Sequence, residues 1–163
     1  MSSMTVTRAH ASDRTLLDRL WLMFRHDLSE FRGILPDDTG AFRSERLEAA
    51  LGRTGWAAYV LRIDGRPAGL AILRGLDEPR HILSSFFVVR GARRTGVGLG
   101  SVRNILSRYP GPWGVAFQED NPAAAAFWRR VAEDVAGDGW TETRRPVPGR
   151  SDLPADTWIE FVM

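Results

Sequence analysis

Apolar residues in the first third of the chain recur at intervals of three and four, which is typical of an amphipathic helix. The run follows an N-cap signal at Ser12-Asp13. A short alternating segment at residues 5–10 precedes it and predicts a first strand. Glycine and proline between residues 33 and 40 break the pattern, and a second helix is predicted over 42–51. The first helix extends to about residue 29, and its apolar residues are Leu16, Leu17, Leu20, Trp21, Met23, Phe24 and Leu28.

Short apolar segments in the middle of the chain predict antiparallel strands. Residues 56–63 form one such segment, and residues 68–74 return as its partner. Asp64-Gly65 between them is a strong hairpin signal. Residues 82–89 are a continuous apolar-and-serine run, which is typical of a central strand.

The last part of the chain alternates between helix and strand. Its predicted elements are helices at 96–109 and 121–134 and strands at 113–117, 140–144 and 157–162. Residues 145–156 hold three prolines and a glycine, and they predict a long loop. Together the elements predict a mixed α/β fold, with a mostly antiparallel sheet of about six or seven strands and helices on both faces. At 163 residues, we expect a single domain over 1–163.

Composition limits the classes of protein to consider. There is no apolar run long enough to span a membrane and no secretion signal at the N-terminus. The chain has no cysteine, so disulfides, a thiol nucleophile and a thiolate metal site are excluded. We therefore expect a cytoplasmic protein without a metal. All 22 basic residues are arginine, but the formal net charge is only +2. We therefore expect neither a nucleic-acid nor a membrane partner, and a basic nucleic-acid-binding domain is the weaker alternative.

An arginine-rich turn follows the predicted central strand and leads into a helix whose first turn is nearly free of side chains. Gly96, Val97 and Gly98 would expose backbone N–H groups at the positive end of the helix dipole, and Arg93 and Arg94 add formal charge. This pattern predicts a diphosphate site, with an ordinary strand-to-helix turn as the alternative. A Rossmann fingerprint does not fit the glycine spacing, and a P-loop is excluded because the chain has no lysine.

The segment Arg93-Arg94-Thr95-Gly96-Val97-Gly98 resembles the acetyl-CoA signature of the GNAT superfamily of N-acetyltransferases. In that signature Arg or Gln, two residues, Gly, one residue, and Gly or Ala follow an apolar strand. A second element is also similar: Asn121 follows the next strand and precedes a helix with the aromatic pair Phe127-Trp128. The resemblance covers the element order of nearly the whole chain and is most specific over residues 82–130.

The resemblance implies that an amine attacks the thioester of acetyl-CoA directly, without a covalent enzyme intermediate. It implies that the strands at 82–89 and 113–117 splay to admit the thioester. Backbone groups of the first strand would pair with the pantetheine arm, and the amides of residues 94–98 would hold the pyrophosphate. The expected cofactor-binding residues are Val88, Val89, Arg93, Arg94, Thr95, Gly96, Val97, Gly98, Asn121 and Phe127.

The groups that would move protons are less well marked in the sequence. Many relatives carry a tyrosine in the aromatic pair, but here Trp128 stands there, and an indole N–H can donate a hydrogen bond without titrating usefully. For the base that deprotonates the amine, Glu119 is the first candidate, and His81 and Glu30 follow. A structural or surface role is the alternative for each of these residues.

The acceptor side is expected to come from the N-terminal helices. His26, Asp27, Glu30 and Phe31 combine acids with an aromatic ring, which suits a cationic amine, although a solvated helix face is the alternative. Two functions follow: an N-acetyltransferase acting on a small-molecule or peptide amine, or a non-catalytic acyl-CoA-binding sensor or regulatory module. Neither the acceptor, the acyl-chain length nor the oligomeric state is fixed by the sequence, although many members of the superfamily pair as dimers.

Overall fold

Seven strands form one sheet in a computed structural model that describes residues 2–163. Their order across the sheet is β1-β2-β3-β4-β5-β7-β6, and every neighbouring pair is antiparallel except β4 and β5. The mixed, mostly antiparallel sheet that the sequence predicts is therefore confirmed. The strands are β1 (Met4–Arg8), β2 (Ala57–Ile63), β3 (Arg66–Arg74), β4 (His81–Val88), β5 (Pro112–Phe117), β6 (Thr141–Arg145) and β7 (Asp156–Val162).

Four α-helices cover the sheet within residues 2–163. They are α1 (Arg14–Arg32), α2 (Glu45–Gly52), α3 (Val97–Arg108) and α4 (Pro122–Ala136). Single 3-10 turns precede α1 and follow β4. No helix of the described chain is long and apolar enough to cross a membrane.

The boundaries of the first two helices differ from the predicted ones. Helix α1 runs beyond the predicted end and stops at Gly33, whose φ of 62° provides a left-handed cap. Helix α2 begins only at Glu45, so Phe42 precedes the helix instead of lying on its inner side. The later start of α2 has a local cause. The carboxylate of Asp37 accepts hydrogen bonds from the N–H groups of Thr39 and Ala41, and these bonds hold residues 37–41 in a turn just before Phe42.

Each face of the sheet has its own core. Strands β2 and β3 are buried on both faces, which explains their nearly continuous apolar sequence. Helices α3 and α4 cover one face with residues that include Val102, Ile105, Leu106, Trp128 and Val131. Helices α1 and α2 cover the other face with Leu17, Leu20, Trp21, Phe24 and Leu47.

A β-bulge at Ser84 divides β4 into two parts. The pairing with β3 passes from Ser85 opposite Ile72 directly to Leu83 opposite Leu73, so Ser84 has no partner there. The parallel pairing with β5 covers only residues 81–83 of β4. Beyond the bulge the two central strands separate, which confirms the expected splay.

Glycine at position 69 is required by the close approach of β3 and β4, and this can be tested. A Cβ atom there would lie 2.1 Å from the carbonyl oxygen of Phe87. We therefore expect Gly69→Ala to lower the free energy of unfolding by about 1–3 kcal/mol or more. Chemical denaturation measures it. The control Gly52→Ala, where a Cβ meets nothing within 4 Å, should not be destabilised, and equal stability of both variants would contradict the packing.

Candidate active site

The turn between β4 and α3 presents a row of backbone N–H groups. Arg94 and Gly96 adopt left-handed φ angles of 63° and 84°, which curve the chain around these amides. The first amide with a helical partner is that of Gly100, which donates to the carbonyl of Gly96. The N–H groups of residues 94–99 have no acceptor within residues 2–163. Such a concave row of amides at a helix N-terminus is suited to binding an anion.

The tip of α3 is open and not filled by its own side chains. Its N-cap residue, Gly96, has no side chain, and a Cβ atom built there would meet nothing within 4 Å. The hydroxyl of Thr95 donates to the carbonyl of Ala92 at 2.6 Å, and no side chain caps the N-terminus of α3. The residues present therefore fit the diphosphate that the sequence predicts.

Arg93 is held by two contacts at the edge of this turn. Its Nε donates to the carbonyl of Val88 at 2.9 Å, and its Nη2 donates to Asp27 at 2.6 Å. Arg90 donates twice to the other oxygen of the same carboxylate, at 2.9 and 2.7 Å. Burial alone would raise the pKa of Asp27, but the hydrogen bonds from Arg93 and Arg90 outweigh it and lower this pKa. Asp27, expected to attract a cationic amine, is thus neutralised by two arginines of the cofactor side.

The two valines at the end of β4 face opposite directions. The N–H of Val89 donates to the carbonyl of Ala68 at 2.8 Å, so it is used within the sheet and is not available to an added strand. Since successive residues alternate, Val88 is the one whose backbone faces the gap. The carbonyl of Val88 already accepts a hydrogen bond from Arg93. The Val88 N–H is therefore the group that could donate a hydrogen bond to a ligand in the gap.

The start of α4 forms the other wall of the gap. Asn121 caps this helix, because its side-chain oxygen accepts from the N–H of Ala124 at 3.2 Å, which leaves its NH₂ group for a ligand. Phe127 stacks on Phe86 with ring centroids 5.7 Å apart and planes 10° apart. A Cβ atom at Gly98 would lie 3.1 Å from the Phe127 ring, so α3 and α4 are closely packed here.

A cleft of about 530 Å³ lies between helix α1, the turn after β4 and the start of α4. It brings predicted cofactor residues together with three of the four predicted acceptor residues; its lining is Asp27, Glu30, Phe31, Arg90, Arg93, Arg94, Asn121 and Ala123. His26 is separate, because it lies at a second depression of about 480 Å³ beside Leu22 and Leu35. The acceptor residues predicted on α1 therefore do not form one group.

Glu119 is poorly suited to accept a proton. It pairs with Arg129 at 2.5 Å and accepts a hydrogen bond from the hydroxyl of Thr157 at 3.1 Å. The bond from Arg129 lowers the pKa of Glu119, and a lower pKa makes a weaker base. The structure gives Glu119 the role of joining β5, α4 and β7.

His81 lies at the wrong end of β4 for catalysis. It is at the paired end of the strand, and seven residues, roughly 23 Å, separate it from Val88. Its ring nitrogens face the carbonyls of Gly75 and Pro110 at 3.1 and 3.3 Å. This geometry corresponds to a structural role, joining the turn before β4 to the segment that precedes β5.

Trp128 is a core residue in this structure. Only 7% of it is exposed, and its ring packs edge-on against Phe86 and Phe127 at centroid distances of 5.5 and 4.9 Å. Packing alone accounts for these contacts.

Comparison with known proteins identifies the family. Residues 18–132 match the sequence model of the Acetyltransferase (GNAT) family. The chain belongs to this family. No curated protein is similar enough in sequence to count as a match.

Solved structures share the GNAT fold at low sequence identity. An acetyltransferase from Thermus thermophilus superposes with a TM-score of 0.70 at 17% identity, over 99% of this chain and 97% of that one. The ribosomal-protein-S18-alanine N-acetyltransferase from Escherichia coli gives 0.66 at 14%, over 98% and 94%. Arabidopsis thaliana Naa50, in complex with the bisubstrate analogue CoA-Ac-MVNAL, gives 0.63 at 12%, over 99% and 99%.

Four polar residues of this GNAT chain that the sequence did not single out lie on the α1–α2 side of the parted strands. The hydroxyl of Ser85 is buried and has no partner within residues 2–163. Burial raises the pKa of Asp156, against the opposing charges of Arg32 and Arg46. No local pattern marks these residues, because they come from β4, β7, α1 and α2. No group of three or more metal-ligating side chains occurs in the described part of the chain.

The ion pairs of Asp27 predict a pH-dependent contribution to stability. The pKa of Asp27 is lowered in the folded protein, so its contribution is complete above the unfolded value of about 3.9 and is lost as the pH falls through the folded pKa. Because both arginines are partly exposed, we expect Asp27→Asn to cost about 1 kcal/mol at pH 7. The difference from wild type should vanish at lower pH.

Urea denaturation at pH 7 and at a series of pH values that starts at about 3.9 and falls through the folded pKa of Asp27 measures this effect. Asp152→Asn is the control, because its ion pair with Arg150 is exposed and spans only two residues, and it should change stability little. A difference for Asp27→Asn that stays constant with pH would contradict the role of its charge.

Proposed function

We propose that this protein is an acetyl-CoA-dependent N-acetyltransferase that transfers an acetyl group to a primary amine. The observation that carries the proposal is the open row of amides at residues 94–99, which lies beside the gap between β4 and β5. The family supports the reaction class. Two structures with this fold add support: one is an N-acetyltransferase for an alanine of ribosomal protein S18, and the other holds a bisubstrate analogue containing CoA.

The residues of the gap have distinct roles in this proposal. The amides of residues 94–99 hold a diphosphate, with Arg93 and Arg94 adding positive charge at the same edge. The N–H of Val88 and the NH₂ group of Asn121 bind the arm, and the Phe127 ring packs along it. Acetyl-CoA supplies the thioester, whose C–S bond breaks as the amine nitrogen forms the new C–N bond.

We assign the base to Asp156 in place of Glu119. An alkyl amine has a pKa of about 10.4 and must lose a proton before it attacks. Asp156 begins β7 beside Thr157, which pairs with Phe117 at the separated end of β5. Burial raises the pKa of Asp156, and the raised value makes this carboxylate a better proton acceptor than Glu119.

The amide row can be tested with two matched substitutions. Gly96→Glu places a carboxylate at the open tip of α3, and we expect it to weaken CoA binding at least about tenfold because the charge repels a diphosphate. Gly137→Glu is the control, since Gly137 also has a left-handed φ and open space around it but lies at the far end of α4. Calorimetry with CoA gives the affinities, and equal binding by both variants would refute the site.

A non-catalytic acyl-CoA-binding module is the second candidate. The observation that favours it is that Glu119, His81 and Trp128 are all engaged in structural contacts. Thiol release from acetyl-CoA in the presence of a broad panel of amines distinguishes the two functions. Turnover that Gly96→Glu abolishes supports the transferase, whereas tight CoA binding without turnover of any amine supports the module.

The assignment of Asp156 predicts opposite effects on activity and stability. Its raised pKa means that ionisation disfavours the folded state as the pH rises above the unfolded value. Asp156→Asn should therefore be no less stable than wild type at pH 7. Its kcat should fall roughly 10²- to 10⁴-fold, and in wild type kcat should fall as the pH drops through the Asp156 pKa.

Rate measurements from pH 5 to 9 and thermal denaturation test this prediction. Asp138→Asn, which changes an exposed carboxylate after α4, should alter neither kcat nor stability. If Asp156→Asn keeps the wild-type kcat and pH profile, the base lies elsewhere.

A further inference from the structure

Four arginines gather on the α1–α2 face of the sheet, next to the gap. Arg25 and Arg32 come from α1, Arg46 comes from α2, and Arg74 ends β3. Arg74 lies two residues after Ile72, which belongs to the core on this face, so its side chain shares that face. We call these four residues the arginine cluster.

Arg32 is buried and lacks hydrogen-bond partners. Its side chain is only 8% exposed, and its Nε and Nη1 atoms have no acceptor among residues 2–163. The nearest carboxylates, Asp120 and Asp156, stand 3.7 and 4.0 Å away, which is too far for a hydrogen bond. A buried guanidinium in this state has a large unmet capacity to donate to an oxyanion.

Arg46 is the member of the arginine cluster that contacts the edge of the gap between β4 and β5. Its Nη1 donates to the carbonyl of Ser84 at 3.2 Å, at the bulge where β4 leaves β5. Arg46 is open to solvent, yet the surrounding protein lowers its pKa, as do the charges of Arg74 and Arg25. Arg46 is therefore close to other protein groups and still accessible to a ligand that enters the gap from the α1–α2 face.

The polar groups around Arg46 can face the same ligand. Ser85 lies opposite Ile72, so its buried, unpartnered hydroxyl is directed to the α1–α2 face. The charges of Arg32 and Arg46 both act on the Asp156 carboxylate. Asp156 is thus near two guanidinium groups, and a second carboxylate, that of Asp120, lies 3.7 Å from Arg32.

The charge balance of the cluster favours an anion. Asp120 and Asp156 are the acids nearest to Arg32, whereas Glu45 and Glu78 act on Arg25 and Arg74. Glu45 is itself hydrogen-bonded to Arg43. With Arg43 included, five arginines stand against these four acids, so this face has a small excess of positive charge next to the gap, contrary to the acidic character expected from the sequence of α1.

We propose that the acceptor is an amine that also carries an oxyanion, a carboxylate or a phosphate, which binds Arg46 and Arg32 while the amine faces Asp156. Guanidinium groups bind both oxyanions through paired hydrogen bonds. Asp156 stays available to the amine because its contact with Arg32 is too long for a hydrogen bond. This inference rests on the proposed transferase function and narrows its substrate class.

Matched amines test the inference by binding and do not depend on turnover. Calorimetry on the CoA-bound protein would compare L-amino acids with their carboxamides, and phosphoethanolamine with ethanolamine. We expect an oxyanion-bearing member to bind about tenfold or more tightly than its neutral partner. The pair that shows the preference identifies carboxylate or phosphate as the anion. Equal affinity within every pair would overturn the inference.

Substitutions in the arginine cluster show which arginines cause the preference for the oxyanion-bearing amine. Arg46→Gln should reduce the ratio within the preferred pair to near one, and Arg32→Gln should do the same if the buried position tolerates it. Arg46→Lys should restore part of the ratio, because it keeps the charge without the paired donors. Arg53→Gln, at the exposed end of α2, is the control and should keep the ratio. A ratio that survives Arg46→Gln would overturn the inference.

Separate readouts keep this inference distinct from the proposed function. None of these variants should alter CoA affinity, because no residue of the arginine cluster lines the cleft that contains Arg93 and Arg94. If CoA binds and neutral amines are acetylated as readily as their oxyanion partners, the transferase stands and the oxyanion inference fails. If CoA does not bind at all, the proposed function fails first.

Discussion

The separation of β4 from β5 after Leu83 is the constraint on which the site depends. An extra residue at Ser84 breaks the register with β3, and a bulge of this kind bends its strand and increases its twist. The backbone of β4 beyond the bulge, which a continuous parallel sheet would have used, faces the gap instead. The arginine-rich turn lies at one end of this gap, and Arg46 contacts the other end at Ser84. Both regions therefore border an open part of the sheet.

Arginine residues have different roles in the turn after β4 and in the arginine cluster. In the turn after β4, Arg90 and Arg93 are satisfied by Asp27, so their charge is partly neutralised and their positions are fixed. On the α1–α2 face, the side chain of Arg32 is only 8% exposed and makes no hydrogen bond, whereas Arg46 is open to solvent and donates to the carbonyl of Ser84. A satisfied guanidinium orders a loop, whereas an unsatisfied one retains its capacity to bind. Arg32 is therefore the residue that argues most directly for a ligand.

Local features of the sequence predicted the fold and the open turn before α3 well, because their signals lie within a few residues of one another. The Asp64-Gly65 turn joins β2 to β3 as expected, and the glycines at 96 and 98 shape an open helix tip. The acceptor side was not predictable in this way. Asp27 meets Arg93, which is 66 residues away, and Glu119 is occupied by Arg129 from another element. Such contacts follow from the packing of whole helices on the sheet, and residue spacing along the chain does not encode them.

Helix α1 contacts both the turn after β4 and the carboxylates next to the arginine cluster. Asp27 on this helix contacts the turn that carries the amide row, and Arg32 stands beside Asp120 and Asp156 on the acceptor side. Five residues separate them, which is about 7.5 Å along a helix axis. The helix is anchored through Leu17, Leu20, Trp21 and Phe24, so this spacing is set by a packed core and not by a loop. Because a transferase must hold donor and acceptor at a fixed separation, a rigid element that touches both sides is better suited to the task than two independent loops would be.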